Sequence, residues 1–324
     1  MSDRIDEIFA TTLNNYKKTL EDNVFGAFPL FDFMNTKGGA KVLEDTAAPI
    51  IVPLMYGINT TVKSYSGYDT FDVTPQGGIG DAIYTMKQIA GTVVIDRFSK
   101  RKNAGRSQII NLVSAKMKQL ELSFQDALST MIFADGSGNS SKDIDGLAKL
   151  VSDTPTASGT VGGFDQSVYT WWENYQAAGT HTSAAYDKLI ADIGLAYNTV
   201  SKKKDHPDLI ITTQTLYEGI EGLLVKTINY NSDALGSGLR DANLGFENIK
   251  YRGTVITYDE DCTASHLYLL NTKYLKLNVD RETDFITLET ERPINQDATV
   301  TPILWYGNLT VSNRKRQGVL SAVT

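Results

Sequence analysis

The 324-residue sequence predicts an α+β fold, with helices and strands intermingled rather than wound as regular βαβ units. Three observations predict it. Residues 107–134 set Ile109, Val113, Met117, Leu120, Phe124, Leu128 and Met131 at steps of three or four, with no Pro or Gly between them. That is the pattern of one long helix. Residues 48–96 are β-branched or aromatic in short runs broken by turn residues, the pattern of strands. From residue 183 onward, two shorter helical patterns give way to strand runs such as "GTVITYD", "SHLYLLN", "DFITLET" and "ATVTPILWYGNLTV".

Composition bounds what such a fold can do. The chain is 41% hydrophobic and 21% charged, ordinary for a folded protein and long enough to bury a sizeable core. Its length suits two domains or one interrupted domain. A formal charge of −7 argues against a generic polyanion binder. No run approaches the roughly 18–20 apolar residues that span a bilayer, so no membrane partner is expected. The opening "MSDRIDEIFATTLNNYKKTL" lacks the basic start, apolar block and cleavage site of a signal peptide. One cysteine, Cys262, cannot form an internal disulfide, which fits a reducing site of synthesis.

The elements follow in order. Residues 4–20 place Ile5, Ile8, Phe9, Thr12, Leu13, Tyr16 and Leu20 on one helical face. "NVFGAFPLFDFMNTKGGAK" has aromatics without a period, so it is expected to lie across its own body or a neighbour's. Between residues 48 and 96, two strand arms flank the turn-rich "TPQGGIGD", predicting a long hairpin. Several of its residues are polar on both faces, so the hairpin projects. The helix over 107–134 would be about 40 Å long. "PDLIITT" reads as a buried strand between a helix at 183–200 and a shorter one carrying Leu216, Ile220, Leu223 and Leu224.

The candidate chemical motifs each fail on a missing part. Read as an EF-hand from Asp135, the loop "DGSGNSSKDIDG" has Ser140 where the turn glycine belongs and Gly146 where the bidentate acid belongs. "GGIGDA" at 77–82 lacks the third glycine of a dinucleotide loop and reads as a hairpin tip needing positive φ. His181, His206 and His266 lie far apart in the sequence, and His206 reads as solvated. Acids surround Cys262, which raises a thiol pKa. Glu289 and Glu291 alternate along a strand as a solvated face. No catalytic, cofactor-binding or metal-binding residue is predicted.

Charge and aromatics leave alternatives open. Residues 97–118 carry seven basic residues, Arg97, Lys100, Arg101, Lys102, Arg106, Lys116 and Lys118, and no acid. They would meet nucleic acid or an acidic partner, or form a solvated start to the helix. The tail cluster "NRKRQ" at 313–317 reads the same way. Trp171 and Trp172 in "GGFDQSVYTWWENY" would shape a ligand pocket, or pack an inserted loop onto this subunit or a neighbouring one.

The order of parts (arm, extended hairpin, very long helix, Gly-rich break, mixed α/β region, returning strands) resembles the major capsid protein of tailed bacteriophages, the HK97-type fold. The resemblance covers nearly the whole chain. It implies an N-terminal arm at 1–56, an E-loop hairpin at 57–91 and a peripheral domain at 92–182 with the spine helix and an inserted loop. An axial domain at 183–270, peripheral return strands at 271–312 and a C-terminal segment at 313–324 complete it. "DGSGNSSKDIDGLAKLV" carries the resemblance most specifically. In this family the spine helix commonly ends in an acidic, Gly-rich turn leading to a Gly-Leu segment, here Gly146 and Leu147. The loop is then a structural turn. "SAAYDKLIADIGLAY", "PDLIITTQTLYEGIEGLL" and "YRGTVITYDED" match the axial elements more diffusely.

What the resemblance implies is a shell subunit without enzymatic activity or cofactor. It would self-assemble as pentamers and hexamers into an icosahedral head, built in the host cytoplasm and enclosing a dsDNA genome contacted nonspecifically. Its other partners would be a scaffolding protein, a portal and a decoration protein. Lys63 and Lys87 lie in or beside the hairpin, but no Asn partner and acid match the family's Lys–Asn crosslink, so none is expected. Residues 1–56 are too few for a fused scaffolding segment, and Met1 favours a separate scaffold over a removed propeptide. Two rivals stand: an encapsulin-like shell of the same fold, and an enzyme of unknown class without a recognisable site.

Overall fold

The computed structural model describes residues 30, 41–45, 48–98, 106–181, 186–231 and 249–323. The helix expected over 4–20, most of the aromatic arm, and Lys100, Arg101 and Lys102 lie outside them. In chain order the elements begin with β1 (Lys41–Glu44), β2 (Ile50–Met55), β3 (Ile79–Tyr84), β4 (Lys87–Asp96), the long helix α1 (Arg106–Phe133) and a single turn, α2 (Leu147–Leu150). Then come β5 (Thr160–Val161), β6 (Phe164–Asp165), β7 (Tyr175–His181), α3 (Tyr186–Val200), β8 (Leu209–Thr212) and α4 (Gln214–Asn231). The chain closes with β9 (Ile249–Tyr251), β10 (Thr254–Tyr258), β11 (Leu267–Leu270), β12 (Leu275–Asp280), β13 (Ile286–Thr287), β14 (Ala298–Val311) and β15 (Gly318–Val323).

β14 organises the first sheet. It pairs antiparallel with all ten residues of β4, from Ala298–Asp96 to Gly307–Lys87. It pairs with β12 from Gly307–Val279 to Val311–Leu275, and with β13 at residues 303–304. β1 joins β12 in parallel. Alternation along the strand sends Ile303, Trp305, Leu309 and Val311 into the core. α1 lies over β4, burying Met117, Phe124, Leu128, Ile132 and Phe133, with Leu120 and Met131 half-buried. This is the face its spacing specified; the side chains of Ile109 and Val113 lie outside the description. Phe124 meets Phe285 edge-on, their centroids 5.8 Å apart.

The second sheet runs β7-β15-β11-β8-β10-β9. All four residues of β8 are buried, which fits an apolar run flanked on both sides, parallel to β10 and antiparallel to β11. Leu189, Ile193 and Ala196 of α3, with Leu216 and Ile220 of α4, cover Ile210, Ile256, Leu269 and Leu320 of this sheet. No helix among the described residues is long and apolar enough to cross a membrane.

Two groupings differ from the sequence reading. The hairpin is made by β2 and β3, paired from Ile50–Tyr84 to Met55–Ile79, so it spans 50–84 rather than 57–91. Residues 87–91 belong to β4, where ten ladder partners on β14 hold them in the body. Residues 175–181 and 318–323, grouped by sequence with the peripheral part and a terminal segment, instead lie side by side in the second sheet as β7 and β15. Both contacts join residues more than a hundred positions apart, which local pattern cannot register.

Candidate interaction surface

Between β2 and β3 the chain runs outward and back. Tyr56 and Gly57 both donate their amides to the Gly78 carbonyl at 2.8 and 3.1 Å. "GGIGDA" thus sits at the hairpin's root rather than its tip. Gly78 has φ +127, and a Cβ there would lie 2.4 Å from Gly57 Cα, so the arms cross only because both are glycine. Farther out, Thr60 donates to Gln76 Oε1 at 3.0 Å and Tyr65 meets Phe71 edge-on at 5.0 Å. The tip is a turn at 66–69, where Asp69 N donates to Ser66 O and Asp69 Oδ2 accepts from Ser66 N, both at 2.8 Å.

This hairpin carries large apolar side chains that are exposed among the described residues. Ile58, Val62, Tyr68 and Val73 are each more than 80% exposed, and Met55, Tyr65, Phe71 and Ile79 are exposed beside them. A folded chain rarely leaves so much apolar surface to water; contiguous exposed patches mark contact surfaces. Composition did not single these residues out, although "YDTFDV" alternates acids with apolar groups.

The inserted loop clamps the hairpin root. Ile83 N donates to Gly162 O at 3.0 Å, and Tyr56 stacks on Trp171 with centroids 4.3 Å apart and planes within 10°. Trp172 is buried, its Nε1–H donating to Val161 O at 2.9 Å. These contacts pack the two tryptophans onto their own subunit, and both also line a hollow at the hairpin root. Arg314 completes the clamp. Fully buried, it donates from Nε to Leu150 O at 2.8 Å and from Nη2 to Gln166 Oε1 and Asn174 Oδ1, each at 2.9 Å. Burial brings its pKa down to about 10. So the first cation of "NRKRQ" is a core residue, whereas Lys315 is exposed and Arg316 half-buried.

The loop after α1 is a junction. Asp135 accepts from Ser137 N and Oγ, which holds its carboxyl below the usual range. Asn139, Ser140 and Ser141 are left-handed. Asp145, buried, pairs with Lys149 Nζ and accepts on Oδ2 from Asn308 Nδ2 at 2.9 Å. Asn308 Oδ1 in turn accepts from Asp145 N at 2.8 Å, and Asn308 Nδ2 also donates to Thr85 O at 2.8 Å. A Cβ on Gly146 would lie 2.3 to 2.6 Å from the carbonyl oxygens of Met131, Ile132 and Ala134. Only glycine passes there. Of the acids in this loop, Asp145 holds the helix end to β14 and Asp135 closes the loop on Ser137.

The remaining candidates are dispersed. Lys116 Nζ donates to Val94 O at 2.6 Å, Arg97 faces Asp297 at 3.7 Å, and Lys118 is exposed. Lys87 Nζ donates to Ser141 O, and Lys63 lies on the exposed hairpin. Cys262 is buried, its thiol pushed up to about 12 by burial and by Asp259. His206 is exposed and stacks on Tyr197; His266 Nε2 lies 3.7 Å from Asp153. Glu289 and Glu291 are exposed. No group of three or more His, Cys, Asp and Glu is placed to hold a metal among the described residues.

No protein-family model matches the sequence, and no curated protein matches it. Solved structures do match the fold. The cyanophage A-1(L) capsid asymmetric unit superposes with a TM-score of 0.62 at 15% identity, covering 88% of this chain and 90% of that one. The capsid of Myoviridae phage XM1 gives 0.56 at 11% identity, covering 90% and 92%. The SrpI encapsulin of Synechococcus elongatus gives 0.51 at 8% identity, covering 89% and 86%. At such low identity nearly the whole chain still superposes, and the chain therefore has the HK97-type fold that these capsid and encapsulin structures share.

Proposed function

We propose that the chain is a major capsid protein, a structural rather than catalytic subunit that self-assembles as pentamers and hexamers into an icosahedral phage head. The single observation that carries this reading is the projecting hairpin with its uncovered apolar side chains, standing on an HK97-type body. Residues 50–84 act as the E-loop, α1 as the spine helix, the β14-centred sheet as the peripheral domain and the β8-centred sheet as the axial domain. Each contact between subunits can be weak, because a closed lattice multiplies it. Packaged dsDNA meets the shell nonspecifically, and a scaffolding protein, portal and decoration protein are its further partners, with assembly in the host cytoplasm.

The encapsulin superposition favours one second reading, a shell subunit of a cellular compartment. Negative-stain microscopy with light scattering, on the protein alone and co-expressed with the products of neighbouring genes, tests both. Shells, tubes or five- and six-membered rings support a shell protein. A monomer under every condition sinks both readings. Shells purified from virions with DNA inside separate a head from a compartment loaded with protein cargo.

A further inference from the structure

Two adjoining hollows of 610 and 600 Å³ open where the hairpin leaves the body, and both have Lys202, Tyr274, Asn313 and Arg316 in their walls. Lys203 and Lys204 line the first and Lys315 the second, so five cations line one recess. The backbone holds them there. The 202–205 turn is closed by Lys202 N to Asp205 O at 2.8 Å and Asp205 N to Lys202 O at 3.0 Å, with Lys203 at φ +58. Arg316 is anchored by Nη1, which donates to Val200 O at 2.7 Å. The acid of the turn is already neutralised, since Asp205 accepts from Lys273 Nζ at 3.0 Å and from the Tyr274 hydroxyl at 2.9 Å. Among the described residues, Lys202, Lys203, Lys204 and Lys315 have no carboxylate within ion-pair distance. The C-terminus of α3, just before the turn, offers about half a negative charge. That does not balance five cations. On a chain of net charge −7, the recess concentrates positive potential and calls for a small, multiply charged anion.

We infer that this recess binds a chain of three linked phosphates, either as inorganic triphosphate or as the tail of a nucleoside triphosphate. Size fits, because hollows near 600 Å³ lie in the ordinary range of small-molecule sites. The distribution of charge fits as well. The cations come from two separate segments, 202–204 and 315–316, that meet at one recess instead of forming a stripe that tracks a strand. A triphosphate gathers all its charge at such a point, whereas a nucleic-acid strand spreads one charge over each ~3.4 Å of its rise. The second hollow adds aromatic side chains in different states of use. Trp172 is buried, Trp171 is covered by Tyr56 at 4.3 Å, and Lys273 lies 5.1 Å from the Tyr274 ring centroid. Tyr56 itself is exposed, and its ring is where the base of a nucleotide would rest. The inference goes beyond the assembly reading and does not depend on it.

The test uses the full-length protein and isothermal titration calorimetry with two probes, sodium triphosphate and adenosine triphosphate, in magnesium-free buffer at low salt. The expected result is saturable binding of triphosphate. Lys202→Glu with Lys204→Glu should weaken it at least about tenfold. Lys63→Glu with Lys118→Glu makes the same charge change on exposed lysines outside the recess, and should leave binding within about twofold. All four lysines are exposed or on the hairpin, and circular dichroism checks that both variants fold. The two probes separate the sources of the phosphates. Tighter binding of adenosine triphosphate assigns the recess to nucleotides, and equal or tighter binding of inorganic triphosphate assigns it to free oligophosphate. No saturable binding, or an equal loss in both double variants, would overturn the assignment. So would a short oligodeoxythymidylate that displaces triphosphate at a lower phosphate concentration, since the recess would then be a nucleic-acid contact. Particle formation is scored separately by microscopy, so failure of this site and failure of the capsid reading are told apart.

Discussion

At the scale of single residues, the structure depends on a few buried side chains that satisfy several polar groups at once. Arg314 supplies donors to Leu150 O, Gln166 and Asn174 from a fully buried position. Arg314→Ala strands those acceptors away from water and should cost roughly 3–5 kcal/mol, measured by urea unfolding. Arg314→Lys should recover little, because a point charge cannot replace the planar fork. Cys262 is the opposite case, a buried thiol with its pKa near 12. It should stay inert to a thiol reagent at pH 8 in the folded protein and react at once in denaturant. Rapid labelling of the native state would contradict its position. The sequence legibly marked Cys262 as unreactive through the acids around it. It could not mark Arg314, because composition gives the same weight to every cation in "NRKRQ".

At the scale of elements, the hairpin and the body are separable. Among the described residues, the side-chain hydrogen bonds and the ring contact of residues 59–76 all join that segment to itself, as in Thr60–Gln76, Ser66–Asp69, Asp72–Thr74 and Tyr65–Phe71. Replacing 58–77 by a short turn should therefore leave the circular dichroism and melting temperature of the body nearly unchanged while abolishing particles. A collapse of the fold would show that the hairpin is structural after all. The helix α1 was legible almost to the residue because its apolar spacing is strictly local and no Gly or Pro interrupts it. The hairpin's limits were not. "KQIAGTVVID" reads equally well as a hairpin arm or a body strand, and only its ten partners on β14, some two hundred residues away, decide. The hollows at the hairpin root were hidden for the same reason. Their walls come from residues 53–58, 171–172, 202–205, 274, 312–313 and 315–316, segments that share no local pattern.

At the scale of the whole molecule, stability should follow the carboxylates that gain donors on folding. Asp72, Asp135, Asp165 and Asp205 are held below their ordinary range, by Thr74, by Ser137, by Ser167, and by Lys273 with Tyr274 respectively. A carboxylate with a lowered folded pKa stabilises the fold above about pH 4 and loses that contribution as pH falls through the folded value. Asp259 runs the other way. Burial raises its pKa, so its contribution is present at low pH and lost as pH rises through the raised value. Among the described residues, four such groups against one predict a melting temperature that falls as pH drops below about 4, followed by scanning calorimetry at intervals from pH 6 to pH 2. A melting temperature that rises over that range would refute this balance.

The side chain of Asn308 has a mechanical consequence. One amide group grips both the strand leaving the hairpin, at Thr85, and the loop leaving the long helix, at Asp145. It is a fulcrum between two levers, a hairpin reaching up to about 40 Å outward and a helix of similar length lying over the sheet. The hairpin root is thus held twice, by the clamp of Tyr56 on Trp171 with Ile83 on Gly162, and by the Asn308 amide that ties Thr85 to the helix end.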